Sequence, residues 1–177
     1  MPEPTRGIIP ALATPLREDG SVDVHGMGRL IEYVVGGGVA GIFVLSSTGE
    51  GPMLRETDKA TAVKTAVEAV AGRVAVFVHI ADTSTARVIS QAERAAELGA
   101  DCAVATLPFY FRHSGSQVLS FYTDVADASP LPVLIYNVPV CTGVQITADQ
   151  VAELAAHPNI VGIKESTLDW RQFQRIV

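Results

Sequence analysis

Positive charge is scarce in this chain. Its 13 Lys and Arg are outnumbered by 19 Asp and Glu, which leaves a net charge of −6. A nucleic-acid binder needs a basic footprint to meet phosphate, and this composition excludes one. Cysteine is as sparse: Cys102 and Cys141 stand 39 residues apart with no CxxC pairing. They read as free thiols of a reducing cytosol, not as a disulfide framework. No apolar run approaches the roughly 18 residues of a membrane span. The opening Met1-Pro2-Glu3-Pro4-Thr5-Arg6 lacks the apolar stretch of a secretory signal. Histidine is too scattered for a metal site, which wants two or three converging ligands. Only His79 falls at a strand end, where it reads as a packed, hydrogen-bonded residue; His25, His113 and His157 fall in helix or loop contexts. What the chain does have is 177 residues, 48% of them apolar, enough to bury one sizeable core.

Short β-rich runs recur along it: Gly7–Ala13, Gly41–Leu45, Val74–Ile80, Cys102–Leu107, Pro132–Asn137 and Ile160–Lys164. Their starts are 34, 33, 28, 30 and 28 residues apart. A strand followed by a helix at that interval is a βα unit. The runs are nearly continuous in Val, Ile, Ala and Phe, the pattern of parallel strands buried on both faces. Helix signals fill the gaps. Glu56 to Val70 repeats Ala and Val and ends at Gly72, and Thr83-Ser84 opens a helix that stops at Gly99. Thr147-Ala148-Asp149-Gln150 opens another, closed near His157-Pro158. The run Gly36-Gly37-Gly38 precedes a strand and reads as a helix stop.

Nothing divides the chain, so residues 1–177 are expected to form one domain. An open doubly wound sheet would usually carry a glycine-rich phosphate loop after the first strand. Thr14-Pro15-Leu16 stands there instead, which favours a closed (β/α)8 TIM barrel over an open-sheet nucleotide-binding protein. Such a barrel takes about 250 residues, and about six βα units are present here, two short of closure. The last segment, Asp169 to Val177, opens a helix whose Trp170, Phe173 and Val177 face is left unfinished. The expectation is a chain truncated at its C-terminus or a sheet with an exposed edge, and a non-catalytic fragment stays open as a reading.

In a barrel, chemistry gathers at the C-terminal ends of strands. Lys164 ends the apolar run Ile160-Val161-Gly162-Ile163. It is either salt-bridged to a neighbour such as Glu165 or a desolvated nucleophilic amine, since burial favours the neutral form that attacks carbonyls. Lys59 and Lys64 lie on the helix after the second run, where their ammonium groups are expected to be solvated. Tyr136 ends the preceding strand and is either an ordinary core tyrosine or a phenol passing protons to an imine or carbinolamine. Ser47-Thr48-Gly49 follows the second run. It is either a helix cap and loop or, through its hydroxyls and successive backbone N–H groups, a cradle for a carboxylate.

Five segments in order then resemble the dihydrodipicolinate synthase/N-acetylneuraminate lyase family. They are Gly7-Ile8-Ile9-Pro10-Ala11-Leu12-Ala13-Thr14-Pro15, Ser47-Thr48-Gly49-Glu50, Pro108-Phe109-Tyr110, Tyr136-Asn137-Val138-Pro139 and Gly162-Ile163-Lys164-Glu165-Ser166. The resemblance implies that Lys164 forms an imine with pyruvate or another 2-oxo acid, with no cofactor and no metal. It implies that Tyr136 relays protons, that Ser47 or Thr48 bonds to it, and that Thr48 and nearby amides hold the carboxylate. Tyr110 is similar to a tyrosine lent across a dimer interface, so a cytoplasmic homodimer or homotetramer is implied. The enamine would add to an aldehyde, or retro-aldol cleavage would run the other way. One departure stands out. Val140-Cys141-Thr142-Gly143 carries cysteine where the true synthases place an arginine for the second substrate's carboxylate. The reading therefore leans to a related lyase, with 4-hydroxy-tetrahydrodipicolinate synthase as the alternative.

Overall fold

In the computed structural model, which describes residues 6–177, two compact units emerge: Met1–His79 with Arg94–Cys102, and Ile80–Glu93 with Ala103–Val177. Met1 to Thr5, and with them most of the stretch read as lacking a secretory signal, lie outside the described residues.

In the first unit, helix α1 (Val24–Gly36) buries Met27 and Ile31, spaced one helical turn apart. The glycine run stops it: the Gly37 N–H closes onto the Val34 and Val35 carbonyls, and Gly38 takes φ 81°. Strand β1 (Gly41–Val44) follows, buried at every position. Helix α2 (Glu56–Val70) ends at Ala71, φ 49°, one residue before the expected Gly72. Strand β2 (Ala75–His79) pairs with β1 in parallel, from Gly41↔Ala75 to Val44↔Val78. A side chain at position 41 would meet the Phe77 ring at 2.9 Å and the Ala75 carbonyl at 3.0 Å, so glycine is what lets the two strands close there.

The expected first strand is the one element that does not form as a strand. Residues 7–13 run beside β1 and bond to it twice, Phe43 N–H to Pro10 O and Leu12 N–H to Phe43 O, with a third bond from Ala40 N–H, just before the strand, to Ile8 O. Only Ala11↔Phe43 makes a bridge. Pro10 has no N–H to donate back, so the ladder cannot continue through it.

Helix α3 (Thr85–Glu97) is closed by Gly99 at φ 89°, as expected. The second unit carries strands β3 (Cys102–Ala105), β4 (Val133–Asn137) and β5 (Ile160–Glu165). Between them lie helices α4 (Gly115–Ala128), α5 (Pro139–Thr142) and α6 (Ala148–Leu154), and α7 (Trp170–Ile176) follows β5. β3 pairs with β4, and β4 with β5, both in parallel. The fully buried Tyr122 of α4 ties its hydroxyl to the Ala105 carbonyl at 3.1 Å. Thr147 caps α6 by accepting from the Gln150 N–H. β5 departs from burial on both faces. Val133 pairs with Ile160 and Leu134 with Gly162, which leaves Val161 as a bulge, 42% exposed.

Candidate active site

The turn after β1 is held by close backbone approaches. Leu45 and Glu50 both adopt left-handed backbone, φ 61° and 55°. Between them the Ser46 carbonyl accepts from Gly49 N–H at 3.0 Å and Gly51 N–H at 3.2 Å, and the Ser47 carbonyl accepts from Glu50 N–H at 3.2 Å. The buried Thr14 hydroxyl donates to the Gly49 carbonyl at 2.7 Å. A Cβ at position 49 would sit 2.8 Å from the Leu12 carbonyl, and one at position 51 would overlap the Leu45 carbonyl. Ser47 and Thr48 are left exposed at the tip. The N–H groups of Gly49 and Glu50 bond inside the turn, and Gly49 shapes the loop by leaving room for the Leu12 carbonyl. His79 behaves as a packed residue: it is buried, its Nδ1 lies 3.1 Å from the Leu45 carbonyl, and its ring meets Phe43 edge-on.

In the second unit the β4–β5 register sets Tyr136 directly opposite Lys164. Tyr136 is buried and Lys164 half-buried, with Nζ 4.0 Å from the centre of the phenol ring. The next pair, Asn137↔Glu165, faces the other side, because successive strand residues alternate. There the Glu165 carboxylate accepts from Asn137 Nδ2 at 2.9 Å, Gln172 Nε2 at 3.2 Å and the Thr167 N–H at 2.8 Å. Burial raises the Glu165 pKa, but these hydrogen bonds outweigh it and hold the carboxyl below its usual value. The carboxylate expected as a salt-bridge partner for Lys164 is thus engaged by Asn137, Gln172 and Thr167. An open cleft of about 720 Å³ begins just beyond, between Pro139-Val140 and the stretch from Ser166 to Arg171.

Tyr110 stands 87% exposed with φ 95°, its ring edge-on to Phe111, which is 71% exposed. The loop that carries it is tied by His113 Nε2, 3.0 Å from the Pro108 carbonyl. Cys141 is exposed on α5. One expectation about the other lysines fails. Lys64 is solvated, but the Lys59 side chain is only 11% exposed and pairs with Glu56 at 2.7 Å. Sequence reasoning missed Thr14 and Gln172 as members of these sites. Thr14 carried a signal, a hydroxyl just past an apolar run, whereas nothing marked Gln172.

The profile of the dihydrodipicolinate synthetase family matches residues 4–177. The 4-hydroxy-tetrahydrodipicolinate synthase of Stenotrophomonas maltophilia is 43% identical over 171 residues, 97% of this chain and 58% of that protein. Among solved structures, the dihydrodipicolinate synthase of Acinetobacter baumannii complexed with pyruvate has a TM-score of 0.94 at 31% identity, covering 98% of this chain and 60% of that one. A prophage protein of the dihydrodipicolinic acid synthase family from E. coli K12, in complex with pyruvate, has a TM-score of 0.92 at 32% identity, over 96% and 57%. The chain spans between half and two thirds of the length of these relatives. Parallel strands alternating with helices, and this likeness over nearly every residue, give it the (β/α) barrel fold class of those neighbours. The chain belongs to the dihydrodipicolinate synthetase family.

Proposed function

We propose that this chain carries the Schiff-base half-site of a lyase that joins pyruvate, or another 2-oxo acid, to an aldehyde or cleaves such an adduct. The observation that carries the reading is the pairing of Lys164 with Tyr136, amine over phenol, at the ends of neighbouring strands. The neutral Lys164 amine attacks the 2-oxo carbon to give a carbinolamine. Loss of water then leaves an iminium whose nitrogen draws electrons from C3. The Tyr136 hydroxyl carries the protons that the carbinolamine oxygen gains and C3 loses. Thr48 and nearby amides of the Ser47-Thr48-Gly49 turn hold the substrate carboxylate, Ser47 or Thr48 bonds to the Tyr136 hydroxyl, and Tyr110 serves a neighbouring subunit in a cytoplasmic homodimer or homotetramer. No metal or cofactor enters the chemistry.

The second reading is 4-hydroxy-tetrahydrodipicolinate synthase proper, and the names of the relatives support it. Against it stands Cys141, which cannot supply the paired hydrogen bonds a guanidinium gives a carboxylate. The test is borohydride trapping. After incubation with pyruvate, reduction should leave a stable secondary amine on Lys164, located by intact mass and peptide map and absent from Lys164→Ala. Tyr136→Phe should slow adduct formation without abolishing pyruvate binding. Labelling of Lys59 or Lys64 with Lys164 untouched, in a folded sample, would end the reading.

A further inference from the structure

We infer that Asn137, Glu165 and Gln172 form a positioning clamp that holds the Tyr136–Lys164 pair in register from the opposite face of the sheet. The inference deepens the Schiff-base reading by naming residues that act through Lys164 without touching substrate. Tyr136 and Lys164 are opposed on one face, and Asn137 and Glu165, one residue further, are opposed on the other. Every polar atom of that second pair is used. Asn137 Oδ1 accepts from the Ile146 N–H at 3.1 Å, while its Nδ2 donates to the Ile146 carbonyl at 3.1 Å and to Glu165 Oε2 at 2.9 Å. Glu165 Oε1 takes the Thr167 N–H at 2.8 Å.

Gln172, nearly buried on α7, closes the arrangement. Its Nε2 bonds both the Ile146 carbonyl, at 3.1 Å, and Glu165 Oε2, at 3.2 Å, and its Oε1 accepts from Gln145 Nε2 at 2.7 Å. The ladder itself extends one step further through the Ser166 N–H to the Asn137 carbonyl at 2.9 Å. A satisfied, partly buried network of this kind favours one geometry over its alternatives. β5 needs such a device. It carries a bulge at Val161 and is the least buried strand described, so its apolar packing alone fixes its phase weakly. The clamp sits one residue past the reactive pair, where a slip would show first. Ile146, in the segment between α5 and α6, bonds both Asn137 and Gln172, the two side chains that hold the Glu165 carboxylate, so the loop after β4 and the loop after β5 are linked through them.

The test uses the 177-residue chain. Glu165→Gln keeps size but leaves one acceptor oxygen where two are in use, so one set of donors is orphaned. Gln172→Met removes the α7 contribution and leaves both strands intact. The chain has three lysines, so the Lys164 side-chain methylene next to Nζ is assignable in lysine-labelled protein with Lys164→Arg as reference. In the unmodified protein that signal should be shifted upfield of Lys59 and Lys64 by the Tyr136 ring. In folded Glu165→Gln most of that shift should be lost, and in Gln172→Met part of it. The initial rate of borohydride-trapped adduct formation should fall by about tenfold to a hundredfold, with the half-saturating pyruvate concentration nearly unchanged, the pattern of lost orientation rather than lost binding. A folded Glu165→Gln with an unaltered Lys164 signal overturns the inference. If that variant does not fold, an unaltered signal in Gln172→Met overturns it. So does exchange of the Thr167 and Ile146 amides of the unmodified protein at the rate of an unstructured peptide. Should the unmodified protein trap no pyruvate while the Lys164 signal still depends on Glu165, the clamp stands and the Schiff-base reading falls.

Discussion

At the scale of single residues, the two thiols separate cleanly by burial. Burial, with the Asp101 carboxylate adding to it, pushes the Cys102 thiol up to about 12, whereas Cys141 is exposed. An alkylating reagent at neutral pH should therefore modify one thiol in the folded chain, mapped to Cys141, and two once the chain is unfolded. On the proposed lyase reading, Cys141 also bears on the partner aldehyde. In a protein completed to the length of its relatives, Cys141→Arg should raise condensation with an aldehyde that carries a carboxylate, such as aspartate semialdehyde. The expected gain is about 30-fold or more, the worth of a charged hydrogen-bonded pair. Ordinary turnover by the unmodified form, with no gain from the arginine, would refute that argument. Lys164 and Tyr136 were legible as polar residues ending apolar runs, because burial makes such residues conspicuous. Gln172 was not, since a glutamine on a short helix is unremarkable until the carboxylate it serves is placed beside it. Lys59 was misread because helical position alone does not reveal that its stem is covered and its charge paired.

At the scale of elements, the turn after β1 depends on two glycines that admit no side chain. Gly51→Ala would drive a methyl group into the Leu45 carbonyl, so the turn must deform. The expected result is a lowered melting temperature together with weakened pyruvate binding, read by calorimetry on the same sample. Thr147→Ala removes the cap of α6 and should cost about 1 kcal/mol in denaturant unfolding. The clamp adds a pH dependence whose sign follows from Glu165. Its folded pKa lies below the ordinary value of 4.5, so the stability it contributes is present above that value and is lost as pH falls through the folded one. Melting temperature should drop on acidification below pH 4.5, and Glu165→Gln should flatten that part of the curve. Most strands and helices could be read from spacing and caps. The exceptions have local causes: Pro10 breaks a ladder that composition alone suggests, and the Val161 bulge is set by pairing with β4, which no single run of sequence encodes.

At the scale of the whole molecule, the second unit shows a cluster of apolar side chains near its last helix. Leu168, Trp170 and Val177 are 106%, 66% and 87% exposed, and Trp170 stacks on Phe173 with ring centres 5.3 Å apart. Exposed apolar surface of this kind drives association. The chain should sediment as a concentration-dependent mixture, and Leu168→Ser with Trp170→Ser should shift it toward monomer. Trp170 is the only tryptophan, so its emission should move to shorter wavelength as concentration rises. A single sharp monomer boundary with unchanged emission at all concentrations would contradict this. The (β/α) repeat was legible in the sequence because the apolar runs recur at nearly even spacing.

The back-to-back pairs at the ends of β4 and β5 bear on how this segment tolerates genetic change. Because alternate residues face opposite sides, losing or gaining one codon between the Val161 bulge and Lys164 would exchange the faces, turning the amine toward Asn137 and the carboxylate toward the phenol. Substitutions at Gly162 or Ile163 preserve that parity, but single-residue insertions and deletions do not. A library of this stretch should therefore retain many point variants and almost no length variants, and a second, compensating indel within the strand should restore what the first destroyed.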